Sequence, residues 1–194
     1  MIILLNAILM ENLVLKKFLG ICPFLGVSKK INSALGMSVA VTLVMLAATA
    51  ITWPIHTYIF LPNKLQYLRT IAFILIIALF VQLVEIILGK FFPPLHRSLG
   101  VFLPLITTNC AILGITILNV DDNLGYLDSI FRALGGGLGF ALALIVFSSL
   151  RQKLEESNIP KAFKGIPAAL IAASFFSLSF AGFSGMVENM FGKA

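Results

Sequence analysis

Charge is scarce in this chain, and so are the side chains that usually carry chemistry. Charged residues make up 11% of its 194 positions, and there are only two cysteines, two histidines and one tryptophan. With 59% of the residues hydrophobic, that poverty of charge excludes a soluble domain of ordinary composition and leaves an integral membrane protein. Alternation of apolar and polar residues is also missing, which argues against barrel strands and for helices. A basic segment ahead of the first apolar run is missing too. The first segment, which already contains Glu11, Lys16 and Lys17, is therefore expected to stay as a mature span rather than be cleaved.

What is present is a series of six apolar segments, at Ile2 to Leu19, Leu35 to Ile59, Leu68 to Leu88, Leu99 to Leu118, Ile130 to Leu150 and Pro167 to Val187. Each is about long enough to cross a hydrocarbon core of ~30 Å at helical rise. The net charge of +6 does not point to nucleic acid, because most Lys and Arg fall between the segments and act as topology signals. One face collects eight of them: Lys29, Lys30, Lys90, Arg97, Arg151, Lys153, Lys161 and Lys164. The other face collects four, Lys64, Arg69, Arg132 and Lys193, together with Asp121, Asp122 and Asp128. This bias makes the first face cytoplasmic and puts both termini outside.

The chain repeats itself. Laying Cys22 on Cys110 aligns CPFLGV with CAILGI, and the ALG at Ala34 to Gly36 answers the ALG at Ala133 to Gly135. A repeat of three spans is odd in number, so the second copy enters from the opposite side. The expected fold is a single all-α transmembrane domain over 1–194, built as two inverted three-helix repeats of about 1–90 and 91–194. Helix breakers gather at both cysteine stretches: Gly20, Pro23 and Gly26 in the first, Pro104, Thr107, Thr108, Asn109 and Gly114 in the second. The first and fourth spans are therefore expected to be broken, which is tolerated at membrane depth only where protein or a cavity satisfies the backbone. Counting from Leu99 brings Cys110 about 17 Å into the membrane, near the midplane, whereas counting from Ile2 carries Cys22 about 30 Å. A tilt, an interfacial start or non-helical geometry around Gly20 would reconcile the two.

Each cysteine is placed at the start of a half-helix, where free amides and the positive dipole end favour a thiolate. Small buried hydrophobes, a disulfide and metal ligation are all open readings of the pair. A tetrahedral zinc site or an iron–sulfur cluster wants four ligands, so a second polypeptide of the same architecture would have to supply the others.

The strings FLGICPFLGVSKK at Phe18 to Lys30, LRTIAFI at Leu68 to Ile74, LGVFLPLITTNCAILG at Leu99 to Gly114 and GFSGMV at Gly182 to Val187 resemble the RnfA (RsxA) family. The paralogous NqrD, NqrE and RnfE subunits are similar in architecture. The resemblance implies a subunit of the Rnf complex of prokaryotic cytoplasmic membranes, an oxidoreductase that couples electron transfer between ferredoxin and NAD to Na⁺ or H⁺ translocation. It also implies a [2Fe–2S] cluster shared with RnfE, to which the family cysteines at Cys22 and Cys110 contribute half the ligands, and further partners RnfB, RnfC, RnfD and RnfG. No catalytic residue is implied in this chain. The alternatives are an NqrD- or NqrE-like subunit of a Na⁺-translocating NADH:quinone reductase, and a secondary transporter with inverted repeats and no redox centre.

Other residues have plainer readings. Glu11, Lys16, Lys17 and Glu85 lie in apolar segments, where an ionisable group is a functional-site candidate but snorkelling competes. For Glu85 the choice is between an interfacial and an ion-path role. Lys16 and Lys17, close in sequence to Cys22, are candidates to contact the partner subunit or moderate the negative charge of the cluster. The run GGGLG at Gly135 to Gly139 lacks a preceding strand and reads as a helix-packing face, as do Gly182 and Gly185. His56 and His96 are expected at the interface, and Trp53 with Tyr58 in an aromatic belt.

Overall fold

A computed structural model describes residues 7–8, 12–27, 31–63, 66–91, 109–156, 160 and 165–191. Among them every regular element is helical. The short helix α1 (Ile21–Val27) leads into the long helix α2 (Ile31–Ile55), which runs on through a π-helical turn at His56–Phe60 and one further turn at Leu61–Asn63. A 3₁₀ turn at Gln66–Leu68 opens α3 (Arg69–Phe91). The same order then recurs: a short helix α4 (Cys110–Asp121), a long one α5 (Tyr126–Glu156) and a third, α6 (Ile166–Phe191).

The two long helices form the centre. Lipid tails are as apolar as leucine, so helices in a bilayer associate through close packing rather than through expulsion of water. Small residues allow it here. A Cβ placed on Gly137 of α5 would stand 2.6 Å from Thr42 Cγ2 of α2, and one on Gly136 would meet Leu13, Ile115 and Met45. Glycine thus brings the backbone of α5 against α2, and the GGGLG run is the packing face expected of it. A Cβ built on Gly182 of α6 meets nothing within 4 Å in the single chain. Around the seam, Met37, Val41, Met45, Phe140, Leu144 and Phe147 are buried. Three hydroxyls of α2 are satisfied by its own carbonyls, Ser38 on Ala34, Thr42 on Ser38 and Thr52 on Ala48, each at 2.7 Å.

The helices Ala34–Phe60 and Tyr126–Leu154 are long and apolar enough to cross a membrane, and Arg69–Leu83, Cys110–Asp121 and Ile166–Gly182 are shorter apolar stretches. The expected spans at Leu35, Leu68, Ile130 and Pro167 thus fall on α2, α3, α5 and α6. The expected first span does not form one helix: from Asn12 to Gly20 the chain is a sequence of turns. Of the fourth, the described part begins at Asn109.

His56, near the end of the Ala34–Phe60 span, is buried within the chain, packed edge-on against Phe73 of α3 with ring centroids 6.3 Å apart. Pro54 lies within α2 two residues earlier and has no amide to donate, and the helix widens into its π turn just beyond.

At this end of the bundle the α4–α5 hairpin is tied to its neighbours. Trp53 Nε1 donates to the Leu124 carbonyl at 2.9 Å, and its ring meets Tyr126 edge-on. Arg69 pairs with Asp121 at 2.7 Å, and Arg132 with Asp122. Two of the cations and two of the carboxylates assigned to one face by the sequence therefore meet as ion pairs.

Candidate functional site

The helix that carries Cys110 starts with a well-formed cap. Asn109 has extended backbone (φ −73°, ψ 111°), and its side-chain oxygen accepts the amide of Ala111 at 3.0 Å. That satisfies one of the donors a helix N-terminus leaves free, and it makes Cys110 the first helical residue. The carboxamide is buried, and its Nδ2 has no hydrogen-bond partner among the described residues.

Cys22 arrives by a different route. Asn12, only 2% exposed, holds the turns that precede it. Its Oδ1 accepts the amides of Val14 at 3.1 Å and Leu15 at 3.4 Å, while its Nδ2 donates to the carbonyls of Gly139 at 3.0 Å and Ile8 at 3.4 Å. Further closures run from Lys16 N to Asn12 O at 2.9 Å, from Leu19 N to Leu13 O at 2.8 Å and from Ser177 Oγ to Leu15 O at 2.6 Å. This is the internal satisfaction that non-helical backbone needs inside a membrane. The turn ends with Phe18 at φ +54° and Gly20 at φ +89°. Left-handed backbone costs a bulky residue such as Phe18 roughly 1–2 kcal/mol, and glycine almost nothing. Non-helical geometry around Gly20, one of the three reconciliations of depth, is thus present in the chain.

The two cysteine stretches converge. Gly20, two residues before Cys22, donates its backbone N–H to Cys110 Sγ at 2.9 Å, across 90 positions of sequence. A Cβ at Gly20 would stand 3.0 Å from Phe140 and 3.2 Å from Ala111, so only glycine brings the amide this close. Gly114, one turn beyond Cys110, abuts Leu19 of the same turn. The start of α4 therefore rests on the turn that launches α1.

Both thiols are free, Cys110 half-buried and Cys22 exposed on the surface of the single chain. No disulfide joins them. Among the described residues no group of three or more His, Cys, Asp or Glu could hold a metal. One chain therefore offers a pair of thiols and, among the described residues, no complete metal site. Lys16 and Lys17 are exposed beside the turn. Glu11, His96, Pro104, Thr107, Thr108, Lys29, Lys30, Lys64, Arg97, Lys161, Lys164 and Lys193 lie outside the described residues, as do the side chain of Glu85 and the surroundings of Gly185.

Asn12 is the residue that sequence reasoning passed over. Its signal was there: an uncharged amide inside an apolar run, one position after the conspicuous Glu11.

The chain matches the family model described as Rnf-Nqr subunit, membrane protein, over residues 1–187. It is 52% identical over 184 residues to the A-subunit of the Na(+)-translocating ferredoxin:NAD(+) oxidoreductase complex of Acetobacterium woodii, covering 95% of this chain and 96% of that protein. It is also 50% identical to the A-subunit of the ion-translocating oxidoreductase complex of Syntrophotalea carbinolica, covering 97% and 98% of the two chains. The protein of the same name from Aliivibrio salmonicida is 47% identical, covering 97% of each. Matches of this extent, on a helical chain whose paired cysteine stretches meet, establish that the protein belongs to the Rnf-Nqr family of membrane subunits.

Proposed function

We propose that the protein is a membrane subunit of an Rnf-type ion-translocating oxidoreductase, and that Cys22 and Cys110 are two of the four thiolate ligands of a [2Fe–2S] cluster shared with RnfE. The observation that carries this reading is the hydrogen bond from Gly20 to Cys110 Sγ. It brings the neighbourhood of one cysteine to the sulfur of the other without joining them. The donor set fits the group: free thiols at adjoining chain segments, an amide already directed at sulfur, and exposure of Cys22 toward whatever completes the site.

When bound, such a cluster supplies one-electron transfer through a layer that would otherwise insulate. This chain's residues hold and orient. Asn12 fixes the turn ahead of Cys22, Asn109 fixes the first turn behind Cys110, and Gly20 links them. Burial of the surrounding apolar side chains keeps water from the half-buried sulfur. Electrons from ferredoxin would cross the complex by this route, in exchange with NAD, while Na⁺ or H⁺ is translocated.

The recurring order of short, long and third helix supports the inverted six-span repeat, with the cysteine at the head of each unit. Buried Ala34 and Ala133, equivalent under the repeat, agree with it. The hinge would lie at the broken spans, with access to either face alternating with redox state.

The test is co-purification of this chain with RnfE, followed by iron and sulfide analysis, visible absorption and EPR of the reduced sample. A coloured pair with a reduced iron–sulfur signal, lost in both Cys22→Ser and Cys110→Ser, is the expected result. A colourless wild-type pair would leave a permease without a redox centre.

A further inference from the structure

Asn109 carries a hydrogen-bond donor with nowhere to go. Its carboxamide is buried, with 4% of the residue exposed, and no atom of the described residues accepts from Nδ2. A carboxamide can be read either way round, but here the capping bond decides: the atom that accepts from the Ala111 amide at 3.0 Å must be oxygen. Nitrogen is therefore the idle end. Leaving such a group unsatisfied costs about 1–3 kcal/mol, so an orphan of this kind asks for a ligand.

The position of the orphan, next to Cys110, suggests the kind of ligand. Asn109 immediately precedes Cys110, and its side chain is pinned over the first turn of α4. The Gly20 turn closes on it from the other side: a Cβ at Gly20 would lie 3.5 Å from Asn109 Oδ1. The Gly20 amide donates to the Cys110 sulfur from that side. One neutral amide, that of Gly20, thus already reaches the Cys110 sulfur, and a second, Asn109 Nδ2, stands unpaired on the residue next to it.

We propose that Asn109 Nδ2 and the Gly20 amide form a neutral donor shell for the sulfur of a centre bound at Cys110, and that this shell raises its reduction potential. The inference rests on the cluster reading above. Reduction places an extra electron on the metal–sulfur unit and makes its sulfur atoms stronger acceptors. Donors to sulfur therefore stabilise the reduced form more than the oxidised one. Asn109 is a positioning and tuning residue: it does not ligate iron.

Ser and Asp both cap helices well, so Asn109→Ser and Asn109→Asp keep an acceptor for Ala111 while removing the amide donor. In the co-purified pair, redox titration followed by EPR should show the Asn109→Ser potential lowered. At fixed ambient potential the reduced-to-oxidised ratio should fall about tenfold, about 59 mV for a one-electron couple. Asn109→Asp, which adds negative charge, should lie lower still.

Wild-type potentials in both variants would overturn the proposal while leaving the cluster in place. Should the variants fail to hold a cluster, wild-type protein with ¹⁵N-labelled asparagine decides: a ¹⁵N coupling to the reduced centre in pulsed EPR supports the shell, and its absence overturns it. A wild-type pair without iron or sulfide is a separate failure, that of the cluster reading, and takes this inference with it.

Discussion

Asn12 and Gly139 stand 127 residues apart and are joined by a 3.0 Å hydrogen bond from the Asn12 side chain to the glycine carbonyl. The same carboxamide accepts two backbone amides of its own turn, so it clamps the broken first segment to the central helix α5. Replacing it by leucine would strand those amides in an apolar interior, at about 1–3 kcal/mol for each group left unpaired. Asn12→Leu is expected to lower the unfolding temperature in detergent substantially. Asn12→Asp, which keeps the acceptor but not the donor, should fall between it and wild type.

Close approach of α5 to α2 makes a second prediction. A Cβ on Gly137 would stand 2.6 Å from Thr42 Cγ2 and 3.0 Å from its Cβ. Gly137→Ala should therefore destabilise the chain by about 1–3 kcal/mol, as overpacking does. Thr42→Ala in the same background should return part of the loss, because it removes the nearest atom but not Cβ. Thermal unfolding of the single and double variants measures the coupling.

Gly114 offers a milder contrast. A Cβ there would run into Leu19 Cδ1, the far end of a flexible side chain. Gly114→Ala should displace the Leu19 turn and slow electron transfer through the assembled complex, with Leu19→Ala restoring it. An unchanged rate in Gly114→Ala would show that this turn does not govern the route. Uptake of ²²Na⁺ measured alongside tests the hinge: coupling that survives stiffening of Gly114 argues against it.

Thiol labelling reads the site without spectroscopy of a cluster. In the isolated chain the exposed Cys22 should react with a maleimide faster than the half-buried Cys110, whose sulfur is hydrogen-bonded. Under the proposed sharing of a centre with RnfE, assembly with it should protect both. Persistent labelling of Cys22 in the intact complex would remove it from any shared centre.

The ion pair of Arg69 with Asp121 links α3 to the end of α4, with side-chain exposures of 21% and 48%. Partly exposed pairs contribute little, about 0.2–1 kcal/mol. A double-mutant cycle with Arg69→Gln and Asp121→Asn should give a coupling in that range, and it should shrink at high salt.

Much of this architecture was legible in the residues themselves, because helical membrane segments announce themselves by composition. A bilayer leaves backbone groups no partner except their own helix, so long apolar runs become α2, α3, α5 and α6. The cysteine stretches also revealed their breaks, since Gly20 and Asn109 are residues that suit a left-handed turn and a helix cap. His56 was legible only in part: a lone histidine near a span end shows its place along the helix, but nothing local shows that Phe73 will cover it.

What the chain determined alone was where helices form, where they stop, and which two residues carry sulfur. Only the folded arrangement decided that the turn before Cys22 reaches the sulfur of Cys110, that Asn12 fastens to Gly139, and that the amide nitrogen of Asn109 is left idle. Helix formation depends on neighbours a few positions away and can be read from them. A hydrogen bond between residues separated by 90 or more positions depends on how glycines let α5, α2 and the broken segment approach, and that is a property of packing in three dimensions.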